Sequence, residues 1–299
     1  MSWGEVTKID VLFIKDFLGN PTPPDLGGNN FNVCCSTICA LADTSDSDPL
    51  KNDYYAFAEF FPVTFNVVMT LQKLVSGTWT DQATLVDDTY GTLHDFNPRN
   101  NVKCHAYTIE WREVLDAFDS GKYRVNFDYG AAAINSFEFC LDYYSTDLAD
   151  GTVRATYTRN SVIGSVLQNV TRDFVGTNLA SQFRFCDAIF GGRKSTIETE
   201  SHRLNGGKER TYLKRFKEEY SLTVRNLHYQ FHPILLYDIM QADDISFTDY
   251  NSINTTGTYV DVEVEVNGNF EPNYRSGNNE SSIEIAFVDK WDNRRKMYS

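Results

Sequence analysis

The stretch Glu218-Glu219-Tyr220-Ser221-Leu222-Thr223-Val224-Arg225 decides the fold. Tyr220, Leu222 and Val224 alternate with Ser221, Thr223 and Arg225, the two-residue period of a strand with one buried face. C-terminal to it, His232-Pro233 leads into the apolar cluster Ile234, Leu235, Leu236, Ile239 and Met240. Proline suits the first helical position, where its missing N–H would be unpaired anyway. Leu235/Ile239 and Leu236/Met240 are i,i+4 pairs that stack on one side of a helix. Ile245 and Phe247 resume the alternation before Asp249-Tyr250-Asn251. The unit Glu209–Tyr250 is therefore predicted as strand, turn, short helix, strand.

The segment that enters this unit is basic. Between residues 193 and 217, Arg193, Lys194, Arg203, Lys208, Arg210, Lys214, Arg215 and Lys217 face only Glu198, Glu200 and Glu209, a net charge of +5 in a chain of net −14. Gly191-Gly192 and Gly206-Gly207 bracket Arg193–Asn205, which is expected to form an arm or a long hairpin loop. The preferred reading is docking onto an acidic protein surface such as residues 1–145 of a neighbouring copy, net −11 against −3 for residues 146–299. A solvated strand face ranks second. Nucleic acid, with Tyr212 and Phe216 as stacking rings, ranks third because the rest of the molecule is strongly acidic.

A final hairpin follows. Val260, Val262, Val264 and Val266 are expected on one face of a strand, with Tyr259, Asp261, Glu263 and Glu265 on the other. Ile283, Ile285 and Phe287 are expected to point inward from its partner. The carboxylates of Asp261, Glu263 and Glu265 suit a basic partner surface or a charged edge that resists aggregation. No EF-hand spacing accompanies them, so no metal is assigned. The connecting loop 267–280 is long, as functional loops often are, and the chain closes on basic Arg294-Arg295-Lys296.

Towards the N-terminus, strands are expected at Ile9–Phe17 and Val33–Leu41, on both sides of Pro62 within Tyr54–Val75, at Thr78–Val86, at Lys122–Tyr129 and at Ser136–Tyr144. Asp43–Asp53 is an acidic Ser/Asp loop. Glu110, Trp111, Val114, Leu115 and Phe118 have helical spacing, stopped by Gly121. Phe183–Phe190 is a further strand candidate. A polar stretch at Ser145–Gly151 suggests a boundary, giving an acidic domain 1–147 and a second domain 148–299. The fold class is mainly β with a few short helices, in two β-sandwich-like domains.

The chemistry of the motifs points away from catalysis. Cys34, Cys35 and Cys39 are spaced C-C-x-x-x-C, and Cys104-His105 stands apart, so the paired C-x-x-C of structural zinc sites is missing. Buried, reduced thiols are expected. There is no H-E-x-x-H, G-x-S-x-G or G-x-G-x-x-G, and Gly191-Gly192-Arg193-Lys194-Ser195 lacks phosphate-loop spacing. No catalytic, cofactor-binding or metal-binding residue is assigned. Met1–Phe17 has no basic start or cleavage site, and no apolar run reaches membrane length, so folding in a cytoplasm without a membrane partner is expected.

From Glu218-Glu219-Tyr220-Ser221-Leu222-Thr223-Val224-Arg225 the pattern runs on through Leu236-Tyr237-Asp238-Ile239-Met240-Gln241-Ala242-Asp243-Asp244. It continues with Phe247-Thr248-Asp249-Tyr250-Asn251, Phe270-Glu271-Pro272-Asn273-Tyr274 and a last strand before Trp291. This resembles the virion structural proteins of crAss-like tailed phages of Bacteroidales, in particular those forming rings between portal and tail. The resemblance covers about the last third of the chain. It implies a β-sandwich protein in a cyclic homo-oligomer, sixfold or twelvefold, stacked on the portal or on other ring or tail proteins. Packaged DNA would be only a non-specific neighbour, and the chain would reside in the virion after assembly in the host cytoplasm. A second expectation is a carbohydrate-binding or host-adhesion module with Trp79 and Tyr90 stacking on sugars.

Overall fold

Apolar and aromatic residues at every second position favour strands, and the computed structural model arranges them in four sheets. It describes residues 39–62, 66–99, 102–130, 133–136, 138–165, 170–176, 179–203, 207, 209–228, 232, 234–252, 259–269, 272–274, 280–290 and 293–296. The strand expected at Ile9–Phe17 and most of that at Val33–Leu41 lie outside these residues. No helix among them is long and apolar enough to cross a membrane.

The first half comprises β1 (Cys39–Ala42), β2 (Tyr54–Pro62), β3 (Val68–Val75), β4 (Thr78–Thr84), β5 (Gly91–Arg99), β6 (Val102–Glu110), α1 (Trp111–Phe118), β7 (Gly121–Asp128), β8 (Ala133–Asn135) and β9 (Phe139–Tyr143). One sheet runs β1-β9-β7-β3-β4 with β8 on β7, and a second runs β2-β6-β5. β1 and β9 are parallel. The sheets meet through aromatic rings: Phe57 of β2 lies 6.0 Å from Phe139 of β9. Trp111 of α1 sits 4.7 Å from Phe139 and edge-on to Tyr55 at 5.6 Å, and all four rings are fully buried. Two strands about Pro62, with β2 ending at Pro62 and β3 starting at Val68, and the helix match the sequence reading. The helix stop does not. Asp119, at φ 66, ends α1 by donating its N–H to Leu115 O, and Gly121 already opens β7. β5 was not foreseen, because Gly91-Thr92-Leu93-His94-Asp95-Phe96-Asn97-Pro98-Arg99 has too few apolar residues to show a clear alternation.

The second half adds α2 (Thr146–Ala149), β10 (Thr152–Arg159), β11 (Val162–Ser165), β12 (Val170–Asp173), β13 (Leu179–Cys186), β14 (Ala188–Arg203), β15 (Glu209–His228), β16 (Asp244–Asp249), β17 (Val262–Val266), β18 (Asn273–Tyr274), β19 (Glu280–Asp289) and β20 (Asn293–Lys296). A nine-stranded sheet runs β13-β10-β16-β17-β19-β15-β14, with β18 on β19 and β20 on β15; β11 and β12 pair separately. The molecule is thus mainly β, in a sandwich-like class, as expected. Tyr220, Leu222 and Val224 are buried, as are Ile283, Ile285 and Phe287. Phe190 links the inner face, 5.4 Å from Tyr220 and 4.9 Å from Phe247. The expected short helix is a π-helical turn, Ile234–Ile239, in which Met240 N–H reaches back to Leu235 O at 2.9 Å. Leu235 and Ile239 are fully buried.

Three expectations are corrected. Phe183–Phe190 is not one strand, because Asp187, at φ 52, separates β13 from β14. For Arg193–Asn205, expected as an arm or a long hairpin loop, the loop alternative gives way to strand: β14 continues to Arg203 with a bulge between Gly191 and Lys194, and residues 204–205 lie outside the described residues. The valine alternation fails at its start. Val260 is exposed while Tyr259 packs against the core, and Asp261, at φ 48, resets the phase.

Among the described residues, strands between 39 and 143 pair only with one another, and those between 152 and 296 likewise. A buried polar cluster joins the two sets. Asp53, the last residue of the acidic Ser/Asp loop Asp43–Asp53, is 1% exposed. Its carboxylate accepts two bonds from Arg184, from Nε and Nη2, each 2.7 Å long. It accepts a longer bond from Arg154 Nη1 at 3.3 Å and one from Leu41 N–H at 2.9 Å. Arg154 and Arg184 stand opposite each other on β10 and β13, so one face presents both guanidinium groups. Arg154 also donates to Pro49 O, Arg184 donates to Thr152 Oγ1, and the Tyr250 ring lies 4.3 Å from the Arg184 guanidinium. Burial alone would push the Asp53 carboxyl up; Arg184, Arg154 and the Leu41 N–H outweigh it and hold it below the usual carboxylate range. Beside the cluster, Gln182 Oε1 and Ser181 Oγ of β13 accept the N–H groups of Tyr54 and Ala56 on β2. A second buried pair, Arg159–Asp238 at 2.5 Å, ties β10 to the π-helical turn.

Asp53→Asn is expected to cost about 3–5 kcal/mol in urea unfolding, because it strands two buried cations. The Asp53 contribution is full above the unfolded carboxylate value of about 3.9 and is lost as pH falls through the lower folded value. The variant should therefore lose less stability on acidification than the parent. Gly91→Ala would place its Cβ 1.8 Å from Thr108 O, whereas a Cβ at Gly77 meets open space. Thermal melts should show Gly91→Ala far more damaging than Gly77→Ala, which is expected to cost about 1 kcal/mol for its positive φ.

Candidate interaction surface

β14 and β15 pair from Ala188↔Val224 out to Arg203↔Glu209, whereas β19 joins β15 only from Glu219 onward. The first half of β15 therefore extends past β19 as a ribbon with β14. Its other edge is taken by β20, in the register Leu213↔Lys296, Lys214↔Arg295, Arg215↔Arg294 and Phe216↔Asn293. Two basic stretches far apart in sequence are thus brought together. Lys194 stands opposite Glu219, Lys217 opposite Thr196, Arg210 opposite His202, and Arg203 opposite Glu209. Arg193 lies in the bulge between Gly191 and Lys194, and Lys208 falls outside the described residues. Directly opposed like charges destabilise a sheet. Across β15 and β20 the register sets Lys214 against Arg295 and Arg215 against Arg294, with Glu198 of β14 as the one acidic position opposite Arg215. A ribbon so charged is favoured by anything anionic laid against it.

Glu263 and Glu265 sit on the same nine-stranded sheet, and Asp261 immediately precedes β17. Glu263 and Glu265 are exposed on β17, flanking Val264, which is 2% exposed. Asp261 is committed locally, since its Oδ1 accepts the Thr248 hydroxyl at 2.9 Å. Lys290 donates its N–H to Glu263 O, and its ammonium bonds the Asp244 carboxylate. That ammonium holds the Asp244 carboxyl below its usual range, and Asp244, with Glu263 and Glu265 nearby, holds Lys290 above its own. β16 and β17 therefore carry an acidic strip with one lysine folded into it.

Other expected contacts resolve differently. The Trp79 ring is covered by the Arg124 guanidinium at 4.3 Å, and Tyr90 packs on Phe118 at 5.2 Å. Both rings named for sugar stacking are thus engaged within the chain. Among the described residues, no group of three or more His, Cys, Asp or Glu is placed to hold a metal ion. Cys104 is buried, and Cys39, Cys140 and Cys186 are partly buried; none of the four is in a disulfide. Sequence reasoning missed the Asp53 cluster. The available signal was an arginine set between apolar neighbours within a strand, as in Val153-Arg154-Ala155 and Phe183-Arg184-Phe185.

No family model matches the chain, and no curated protein matches it in sequence.

Proposed function

We propose that the chain is a structural subunit of a tailed-phage virion, many copies of which form a ring in the head–tail connector or tail. The ring docks the portal and neighbouring ring or tail proteins. The observation that carries this reading is the register of β14, β15 and β20, which gathers basic positions on a two-edged ribbon in a chain of net charge −14. The sequence resemblance of Glu218–Phe287 to crAss-like phage ring proteins supports it. One chain carries both a basic ribbon and an acidic strip at Glu263 and Glu265, so one copy can offer its ribbon to the acidic surface of the next. Contacts of this head-to-tail kind close into rings when the rotation permits. Opposed charges steer the encounter and reject wrong partners.

The double reversal Lys214→Glu with Arg215→Glu is expected to weaken self-association by roughly tenfold or more, about 1.4 kcal/mol, while leaving the thermal melt of the chain in place. Light scattering against concentration measures the first and circular dichroism the second. Unchanged association in a folded variant would reduce the ribbon to solvated surface.

A further inference from the structure

The first half of the chain covers most of its sheet edges itself. The outer edge of β1 is taken by Asp53, whose carboxylate accepts the Leu41 N–H and whose own N–H donates to Leu41 O. The outer edge of β2 donates to Gln182 and Ser181 of β13. β5 carries Pro98 and Arg99, residue types that blunt an edge. β4 differs. Among the described residues it pairs with β3 alone, all of it is at least partly exposed, and Thr78–Thr84 holds no Pro, Lys or Arg. One bulge against β3, between Leu71 and Gln72, is its single irregularity. Exposed Val75 and Val86 flank its two ends. The edge is also acidic: residues 78–88 include Asp81, Asp87 and Asp88, all exposed, and no cation. The neighbouring cations are committed elsewhere, Lys73 to Phe118 O and Arg124 to Gln72 and the Trp79 ring.

We propose that the β4 edge is the seat for β14 of a second copy of this chain, the two strands pairing so that one copy's sheet continues into the next. This rests on the ring reading above and names the surface its ribbon meets. β14 ends the nine-stranded sheet. Near its start, the side chains of Asp249 and Asn251 bond Phe190 N–H and Ala188 O. From Lys194 onward no described strand lies on its outer side, and β15 beside it brings Lys214, Arg215 and Lys217. Main-chain hydrogen bonds between two such edges supply adhesion, as when an extended segment is added to a sheet. Charge supplies the choice of partner. β4 against β4 would bring Asp81, Asp87 and Asp88 of both copies together, and β14 against β14 would oppose two basic ribbons. β4 against β14 pairs opposite charges, and it is a head-to-tail contact that can repeat around an axis. Glu263 and Glu265 cannot replace this seat, because β17 is paired with β16 on one side and β19 on the other and has no free edge to offer.

The test mixes unlabelled and heavy-nitrogen-labelled full chain at low salt, joins touching carboxylates and amines with a water-soluble carbodiimide, and maps the digested products by mass. The expected result is mixed-isotope links from the peptides of Asp81, Asp87 or Asp88 to those of Lys194, Lys214 or Lys217. Asp81→Lys, which puts a lysine on the edge, should weaken self-association by roughly tenfold in sedimentation and leave the thermal melt in place. Mixed-isotope links confined to Glu263 and Glu265, or a folded Asp81→Lys chain that assembles as the parent does, would overturn the β4 seat and leave the ring reading standing. A parent chain that stays monomeric and forms no mixed-isotope link would overturn both. Mapping the unsubstituted chain decides the matter even if Asp81→Lys does not fold.

Discussion

A carboxylate removed from water must find cations, and Asp53 finds two. Arg184 grips it with a two-pronged hydrogen bond and Arg154 adds a third contact. The cluster holds one more positive charge than negative. Carbonyl and ring dipoles absorb the surplus: Pro49 O takes a bond from Arg154, and the Tyr250 ring lies under the Arg184 guanidinium while its hydroxyl anchors on Leu50 O. Buried ion pairs add little stability over well-packed apolar side chains, and losing one partner is costly. Their value here is orientation. The cluster specifies how β1 and β2 sit against β10 and β13, a docking that apolar contact alone would leave free to slide.

That cluster explains why the two halves differ in legibility. Alternation within β15, β16 and β19 was plain in the sequence, because each strand has one apolar and one polar face. Asp53 was not, because nothing local separates it from Asp43, Asp46 and Asp48, which cap turns, the first two also pairing with Lys51. Its burial is decided by arginines on strands from the other half of the chain. Within β14, Gly191-Gly192 and the polar run after it resemble a breaker, so the sequence suggests an arm or a long hairpin loop from Arg193. Pairing along the whole length of β15 overrides that local preference.

The candidate surface divides in the same way. The basic residues of β14 and β15 were visible as a charge cluster, and Glu263 and Glu265 as an alternating face. Their arrangement was not visible. The addition of β20 to β15 is a long-range pairing without its own signal, and it alone sets Arg294 and Arg295 against Arg215 and Lys214. A ribbon that opposes like charges is locally unfavourable, and an acidic neighbour relieves it. In the proposed ring, the exposed carboxylates of β17 on another copy would be that neighbour.

The molar mass of the full chain by sedimentation, at low and then at high salt, tests assembly through the ribbon most directly. Charge-driven head-to-tail contact gives a closed multiple of the 34.1 kDa subunit at low salt that dissociates as salt screens the charges. A single 34.1 kDa species at every salt and protein concentration would contradict it.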